Sequence, residues 1–425
     1  MQTRVPAADA FFLHVDSPVA LQQVGGLVLL DARGGAPGPA EIAALVADRL
    51  GGLPRFRQRL RPGSRRRRPR WVDVPDLDWA WHVTGRDLPG GGRPALHRLV
   101  AELQSEPLPR DRPLWRLVIV PEVEPDLAAV VLVLHHVIAD GIGVIRQARH
   151  LLDPVDDPAD DPAGHPTAGH RRPAAVRTGL AVAAGLAQLA TDGWVRRRLP
   201  TGSDHRRRYG TADLPLARLR EVARRHHARV TDVLLSAVAG AVHRTRPDLA
   251  GGDRARLRTL VPLMMRAPDS PAEGNLTAAV LLDLPVGPRS EPDRLAEVAR
   301  RSRRLRTGTR ALASRFVVQS VGERLPPPVY SWFARTVYGR RFFQAIVSNL
   351  PGPDGPLRLA GRALRAAYPI VPLAPGSPLA VGALGWHGVL HVGITADPAL
   401  LDDADAFGAA LGAVVDQLAG GQRSS

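Results

Sequence analysis

The segment Leu134-His135-His136-Val137-Ile138-Ala139-Asp140-Gly141 has the residue types and spacing for proton-transfer chemistry. A single histidine near its free pKa can take a proton from an alcohol at neutral pH and return it to a leaving group. Moving an acyl group from a thioester to an alcohol needs both steps. The alcohol loses its proton as it attacks, and the departing thiolate takes that proton back. One base is enough, and no acyl-enzyme is required. The chain contains no cysteine, which excludes an acyl-cysteine intermediate, disulfides and Cys-ligated zinc. Successive strand residues point to opposite faces, so His135 and His136 cannot share one site unless the strand breaks between them. No third ligand stands at a suitable spacing, and no metal is expected. The competing reading of the pair is two histidines satisfied inside a core. Asp140 has two readings. It could orient a histidine, as in a triad, or fix the turn through nearby backbone and an ion pair with an arginine. The following glycine favours the second. Gly141 is expected to supply a conformation that other residues resist.

These residues need an element that holds them rigidly at the edge of a crevice, and the end of a buried strand does this. Leu127–Leu134 is almost purely apolar and reads as a strand covered on both faces. Leu114–Val120 reads as another strand. Pro39–Leu50 has helical spacing with proline in its first turn, and Gly141–Leu151 reads as a helix leaving the motif. In the second half, Asp232–Arg244 reads as a helix capped by Thr231. Arg256–Leu263 and Leu276–Leu284 read as strands. Ser377–Trp386 and Val389–Asp397 read as a hairpin around His387-Gly388, and Asp403–Leu418 as a closing helix. There is no sequence repeat, but both halves mix strands with helices, which fits two similar α/β lobes.

Length and composition agree. The 425 residues suggest two domains, each large enough to bury a core. No run of eighteen apolar residues occurs, so no transmembrane helix is expected, and Met1–Ala10 has no signal-peptide pattern. Residues 153–169 are rich in Asp, Pro and Gly and read as a linker. Residues 171–208 carry an apolar stretch, Gly179–Ala190, between arginine runs. It reads as an interfacial helix or as a surface helix packed on the domain. The expected division is a first lobe over 1–152, a linker and basic segment over 153–208, and a second lobe over 209–425.

The formal net charge is +16, and every one of the 57 basic residues is arginine. GC-rich codons account for that choice, but the charge still attracts anions. Arg61–Arg70 reads as a solvated loop or, alternatively, as a contact for CoA phosphates or anionic lipid headgroups. Nucleic-acid binding is disfavoured, because no zinc-finger, homeodomain or RNA-binding signature is present and aromatics make up only 4%.

Beyond the central motif, further blocks stand in order along nearly the whole chain. They are Asp9-Ala10-Phe11-Phe12-Leu13 with Val24-Gly25-Gly26-Leu27, Phe56-Arg57-Gln58-Arg59-Leu60, Arg112-Pro113-Leu114-Trp115, Gly274-Asn275, Ser348-Asn349-Leu350-Pro351-Gly352-Pro353, Tyr368-Pro369 and Gly393 to Asp397. In these the chain resembles the bacterial wax ester synthase/acyl-CoA:diacylglycerol acyltransferases. The resemblance implies an α/β fold of two chloramphenicol acetyltransferase-like lobes with a substrate tunnel between them. Fatty acyl-CoA, as a substrate rather than a cofactor, enters from one side. A long-chain alcohol or diacylglycerol enters from the other. It implies His136 as general base at the midpoint, His135 and Gly141 as support, and Asp140 holding the shape of the motif. Pro113, Leu114 and Trp115 line or brace the acyl pocket, although Trp115 reads equally as ordinary core. The resemblance also implies that Asn275, Ser348 and Asn349 bind substrate. The products are insoluble in water, so a cytoplasmic protein held peripherally on the inner face of the membrane or on lipid droplets is expected. The chain departs from the family where Thr231-Asp232 replaces an Asn-Asp pair, in the run Leu108 to Arg112, and over 153–208. Rival readings are a same-fold enzyme with another acceptor, such as a condensation product, and a non-catalytic lipid- or acyl-CoA-binding protein.

Overall fold

The computed structural model of the chain describes residues 2–153, 195, 198–264, 275, 277–306, 325–353 and 355–420. The proposed linker beyond Asp153 and the Gly179–Ala190 segment lie outside the described residues.

The chain forms two lobes, each around a six-stranded sheet. In the first, the strand order is Arg358–Leu359, Arg362–Ile370, Gln23–Asp31, Leu127–His135, Trp115–Glu124 and Val83–Gly85. Only the last pair is parallel. Leu127–His135 is central, and its alternation explains its composition. Val130, Leu132 and Leu134 join the core that contains Ile42 and Val46 of the Pro39–Arg49 helix. Ala129, Val131 and Val133 join the core under the Gly92–Ser105 helix. A strand buried on both faces has no polar position to spare.

In the second lobe the order is Thr277–Pro285, Arg256–Met264, Ala345–Pro351, Leu379–Trp386, Val389–Ala396 and Arg208–Pro215. The helices Val230–Thr245 and Ala404–Gly420 pack in its core. The hairpin turns at His387 and Gly388, both with positive φ (47° and 79°), the backbone that a tight two-residue hairpin requires. A small third sheet joins Gln2–Arg4, Arg70–Asp73 and Gln58–Arg61. The arginine loop between its last two strands exposes Arg65, Arg66 and Arg67 but buries Arg68.

The lobes interlock. Arg362–Ile370 comes late in the chain yet pairs with Gln23–Asp31 of the first sheet, from Leu364 opposite Leu30 to Ile370 opposite Gly25. No helix among the described residues is long and apolar enough to cross a membrane.

Two local expectations are corrected. Thr231 is not the cap of its helix. The helix runs Val230–Thr245, and the Asp232 carboxylate reaches back to accept the Arg229 N–H at 3.0 Å. Gly141 is not needed for an unusual backbone, since it is absent from the residues with positive φ. Its place is instead a close approach: a Cβ there would lie 3.1 Å from Cδ1 of Leu350, which belongs to the other lobe.

Candidate active site

The strand Leu127–His135 ends where the motif begins, and the backbone then turns. Ile138 N–H donates to the His135 carbonyl at 3.0 Å, and His136 N–H donates to the Gln22 carbonyl at 2.8 Å. This break sends the two histidines to different surroundings. His135 is buried. Its Nδ1 accepts the Val137 N–H at 3.0 Å, so Nε2 carries the proton in the neutral ring. That nitrogen faces the Asp16 carboxylate at 3.5 Å. Burial opposes ionisation of Asp16, but His135 and the Gln22 N–H hold its pKa below the usual carboxylate value. His135 therefore braces the turn.

His136 faces the cavity. The ring of Phe12, on the Ala7–Val15 helix, stacks on it with centroids 3.6 Å apart and planes within 8°. Burial pushes its pKa down to about 4, although nearby Asp140 favours the charged form. The ring is thus a neutral base at every physiological pH. Asp140 begins the Gly141–Leu151 helix, and its carboxylate accepts the Gly143 N–H at 2.9 Å. That is the turn-fixing role, performed as a helix cap.

A relay of hydrogen bonds reaches His136 from the second lobe. Asn275 Nδ2 donates to the His136 carbonyl at 3.0 Å and to Asp9 Oδ1 at 2.9 Å, and Asn275 N–H donates to the same oxygen at 2.8 Å. Burial raises the Asp9 pKa to about 6, with the Asn275 contacts working against the rise. Folding thus disfavours the Asp9 anion: the cost is absent below the unfolded pKa of 3.8 and fully present above about 6. Asp9→Asn keeps the acceptor and removes the charge. It is expected to match or exceed wild-type stability at pH 7, by up to about 2 kcal/mol. Asp9→Ala leaves the Asn275 donors buried and unpaired and is expected to cost about 1–3 kcal/mol. Melting curves at pH 5 and pH 7 test both.

Between the lobes lies one cavity of about 620 Å³. Its walls are largely apolar, with Val130, Leu132, Val144 and Ile145 from the first lobe and Leu260, Leu281 and Ile346 from the second. His136, Asp140, Gly141, Asn275, Ser348 and Asn349 also line it, so six of the ten expected site residues come together. Asn349 Nδ2 donates to Thr231 Oγ1 at 3.0 Å. The position that departs from the family pattern therefore holds a cavity residue through its hydroxyl.

Pro113, Leu114 and Trp115 are not in the wall. All three are buried. Trp115 lies between Phe56 and His82, at centroid distances of 4.7 and 4.3 Å, and its Nε1 donates to the Phe56 carbonyl. The Leu114 carbonyl accepts the His135 N–H at 3.0 Å. The block supports the motif from behind. Sequence reasoning gave no site role to Asp9, Phe12 or Gln22, although Asp9 and Phe12 stand in one of the blocks that carry the resemblance, and Thr231 reads only as a helix cap. The one signal was an aspartate and two phenylalanines in a short helix otherwise made for burial.

The wax ester synthase/diacylglycerol acyltransferase catalytic domain matches residues 6–195, and the C-terminal domain of the same family matches residues 273–418. A Mycobacterium tuberculosis protein named probable diacylglycerol O-acyltransferase tgs1 is 30% identical over 433 residues, covering 93% of this chain and 91% of that one. Among solved structures, the wax ester synthase/diacylglycerol acyltransferase from Marinobacter aquaeolei VT8 has a TM-score of 0.71 at 21% identity, covering 98% of this chain and 100% of that chain. The starter condensation domain of rhizomide synthetase, in complex with C8-CoA and Leu-SNAC, has a TM-score of 0.62 at 17% identity, covering 98% and 94%. The first condensation domain of the CDA synthetase has a TM-score of 0.59 at 18% identity, covering 99% and 95%. The chain shares with these structures the two-lobed mixed α/β condensation-domain fold, and by its sequence it belongs to the wax ester synthase/diacylglycerol acyltransferase family.

Proposed function

We propose that the protein transfers a fatty acyl group from acyl-CoA to the hydroxyl of a long-chain alcohol or diacylglycerol, with His136 as general base. The observation that carries this reading is a neutral histidine set in the wall of a large apolar cavity between the lobes. The alcohol proton passes to His136 as the alcohol oxygen bonds to the thioester carbonyl carbon. The carbon–sulfur bond breaks, and the CoA thiolate takes the proton from His136. The proton count closes without an acyl-enzyme. Asn275 and Phe12 position the histidine. Ser348 and Asn349 offer polar groups for the carbonyl oxygen on which charge develops. Asp140 and His135 keep the turn in shape, Gly141 lets Leu350 of the other lobe approach it, and Pro113, Leu114 and Trp115 brace it.

The apolar walls favour lipid substrates, since a cavity so poor in polar groups discriminates by burying methylenes. The CoA complex of a condensation domain with the same fold supports acyl-CoA as donor. The family relatives named for diacylglycerol support that acceptor. Purified protein given labelled palmitoyl-CoA is expected to form labelled ester with hexadecanol, with dioleoylglycerol, or with both. Protein that binds palmitoyl-CoA and forms ester with neither acceptor would remove this reading.

A further inference from the structure

The helix Pro327–Val337 has three faces with different surroundings. Phe333 and Val337, one turn apart, line the cavity, as do Tyr338 and Phe342 just beyond. Tyr330 and Ala334 are buried against the Ala7–Val15 helix. The Tyr330 hydroxyl donates to the Ala7 carbonyl at 3.0 Å, and Arg335 Nε donates to the His14 carbonyl at 2.8 Å. The remaining face carries Val329 and Trp332, three residues apart, 45% and 68% exposed. Among the described residues only Val19 is another large apolar side chain exposed to this degree.

Along the chain this segment carries charge of one sign. Arg335, three residues on from Trp332 in the helix, and Arg340 and Arg341, just beyond the helix, are exposed, and no aspartate or glutamate occurs between Leu325 and Pro353. An exposed tryptophan among arginines suits the headgroup layer of an anionic lipid surface. The indole settles at the boundary between headgroups and acyl chains, and the guanidinium groups meet phosphates. The adjoining face of the same helix, with Phe333 and Val337, is wall for an apolar cavity. A lipid surface meets both features at once, since it offers phosphates to the arginines and an apolar solute to the cavity.

We propose that the Val329–Trp332 face docks on an anionic lipid surface, from which a lipid-dissolved acceptor enters the cavity past Phe333 and Val337. The docking stands on the helix itself. Only the entry of an acceptor rests on the acyltransferase reading.

The test uses the full chain, without acyl-CoA, sedimented with phosphatidylcholine vesicles containing or lacking phosphatidylglycerol. Wild type is compared with Val329→Ser/Trp332→Ala and with Arg65→Gln/Arg66→Gln/Arg67→Gln. The double variant is expected to bind phosphatidylglycerol vesicles at least about tenfold more weakly, because two apolar side chains no longer enter the surface. That loss should persist in high salt, which screens the arginines but not the burial. Its melting temperature should be unchanged, since both side chains are exposed. A double variant that binds like wild type, or binding lost only in the triple arginine variant, would overturn the docking. In turnover, the double variant should slow transfer to dioleoylglycerol held in vesicles while leaving transfer to a water-soluble short alcohol unchanged. An equal fall on both would overturn the entry route. A protein that binds vesicles through Trp332 but transfers nothing would remove the acyltransferase reading and leave the docking in place.

Discussion

Replacing His136 by alanine is expected to lower turnover about 10²–10⁴-fold, the range removed with a positioned general base, while acyl-CoA binding and melting temperature stay near those of wild type. The stability expectation follows from where His136 sits. Its backbone holds the turn, through the Gln22 carbonyl and the Asn275 side chain, and these bonds survive truncation of the ring. The side chain itself lies on the cavity wall. Its pH signature separates it from its neighbours. The base works only when unprotonated, so activity falls as pH drops through its pKa. Burial sets that value at about 4 rather than the ordinary 6.5. The kcat/KM profile should therefore be flat through pH 6 and fall only in stronger acid. Asp9 titrates near 6 in the fold, so an acid limb near pH 6 that disappears in Asp9→Asn would assign control to the wrong residue. An unchanged profile in that variant is the expected result.

The second large effect is expected at Gly393, on stability and activity together. Gly393 lies where the two sheets meet. An added Cβ would stand 2.0 Å from the Pro369 carbonyl oxygen and 2.8 Å from the Tyr209 hydroxyl that donates to that same oxygen. Neither neighbour is the free end of a flexible side chain. Pro369 sits in the strand paired with Gly26, and Tyr368, Pro369 and Ile370 all line the cavity. Gly393→Ala must therefore push that strand off the second lobe. Overpacking of this kind costs about 1–3 kcal/mol, with the upper end expected against backbone, and the displacement reaches the substrate wall. A lowered melting temperature with a raised KM is expected. Gly412→Ala is the contrast. It lies within the Ala404–Gly420 helix, and its added Cβ meets nothing within 4 Å. That change should be neutral or stabilise by about 0.5–1 kcal/mol.

Much of this architecture is legible in the sequence where local physics decides it. The run Leu127 to Leu134 has no polar position, so it can only be a doubly covered strand, and it is. The helix Gly141–Leu151 and the hairpin at His387-Gly388 were readable for similar reasons: a cap residue with periodic apolar positions, and a turn pair between two alternating runs. What was not legible depends on distant partners. Nothing near Arg362–Ile370 tells that it pairs with Gln23–Asp31, more than three hundred residues earlier. Trp115 reads as pocket or core until Phe56 and His82 are seen on either side of it. Thr231 reads as a cap until Asn349 is found on its hydroxyl. Gly141 reads as a turn glycine until Leu350 arrives from the other lobe. The site residues themselves were visible by chemical type. Asp9 and Phe12 stood in a family block, but their contacts with Asn275 and His136 were not legible, because a carboxylate and a phenyl ring in a helix do not name their partners.

The most direct test of the account is release of free CoA thiol from palmitoyl-CoA, measured with and without hexadecanol or dioleoylglycerol in wild type and His136→Ala. The chain has no cysteine, so every thiol detected comes from CoA. Direct transfer with His136 as base gives thiol release only when an alcohol is present, one ester for each thiol, and loss of both in the variant. A burst of thiol equal to the enzyme concentration without any alcohol would reveal an acyl-enzyme on serine or threonine and contradict direct transfer. Undiminished release by His136→Ala would contradict the general base.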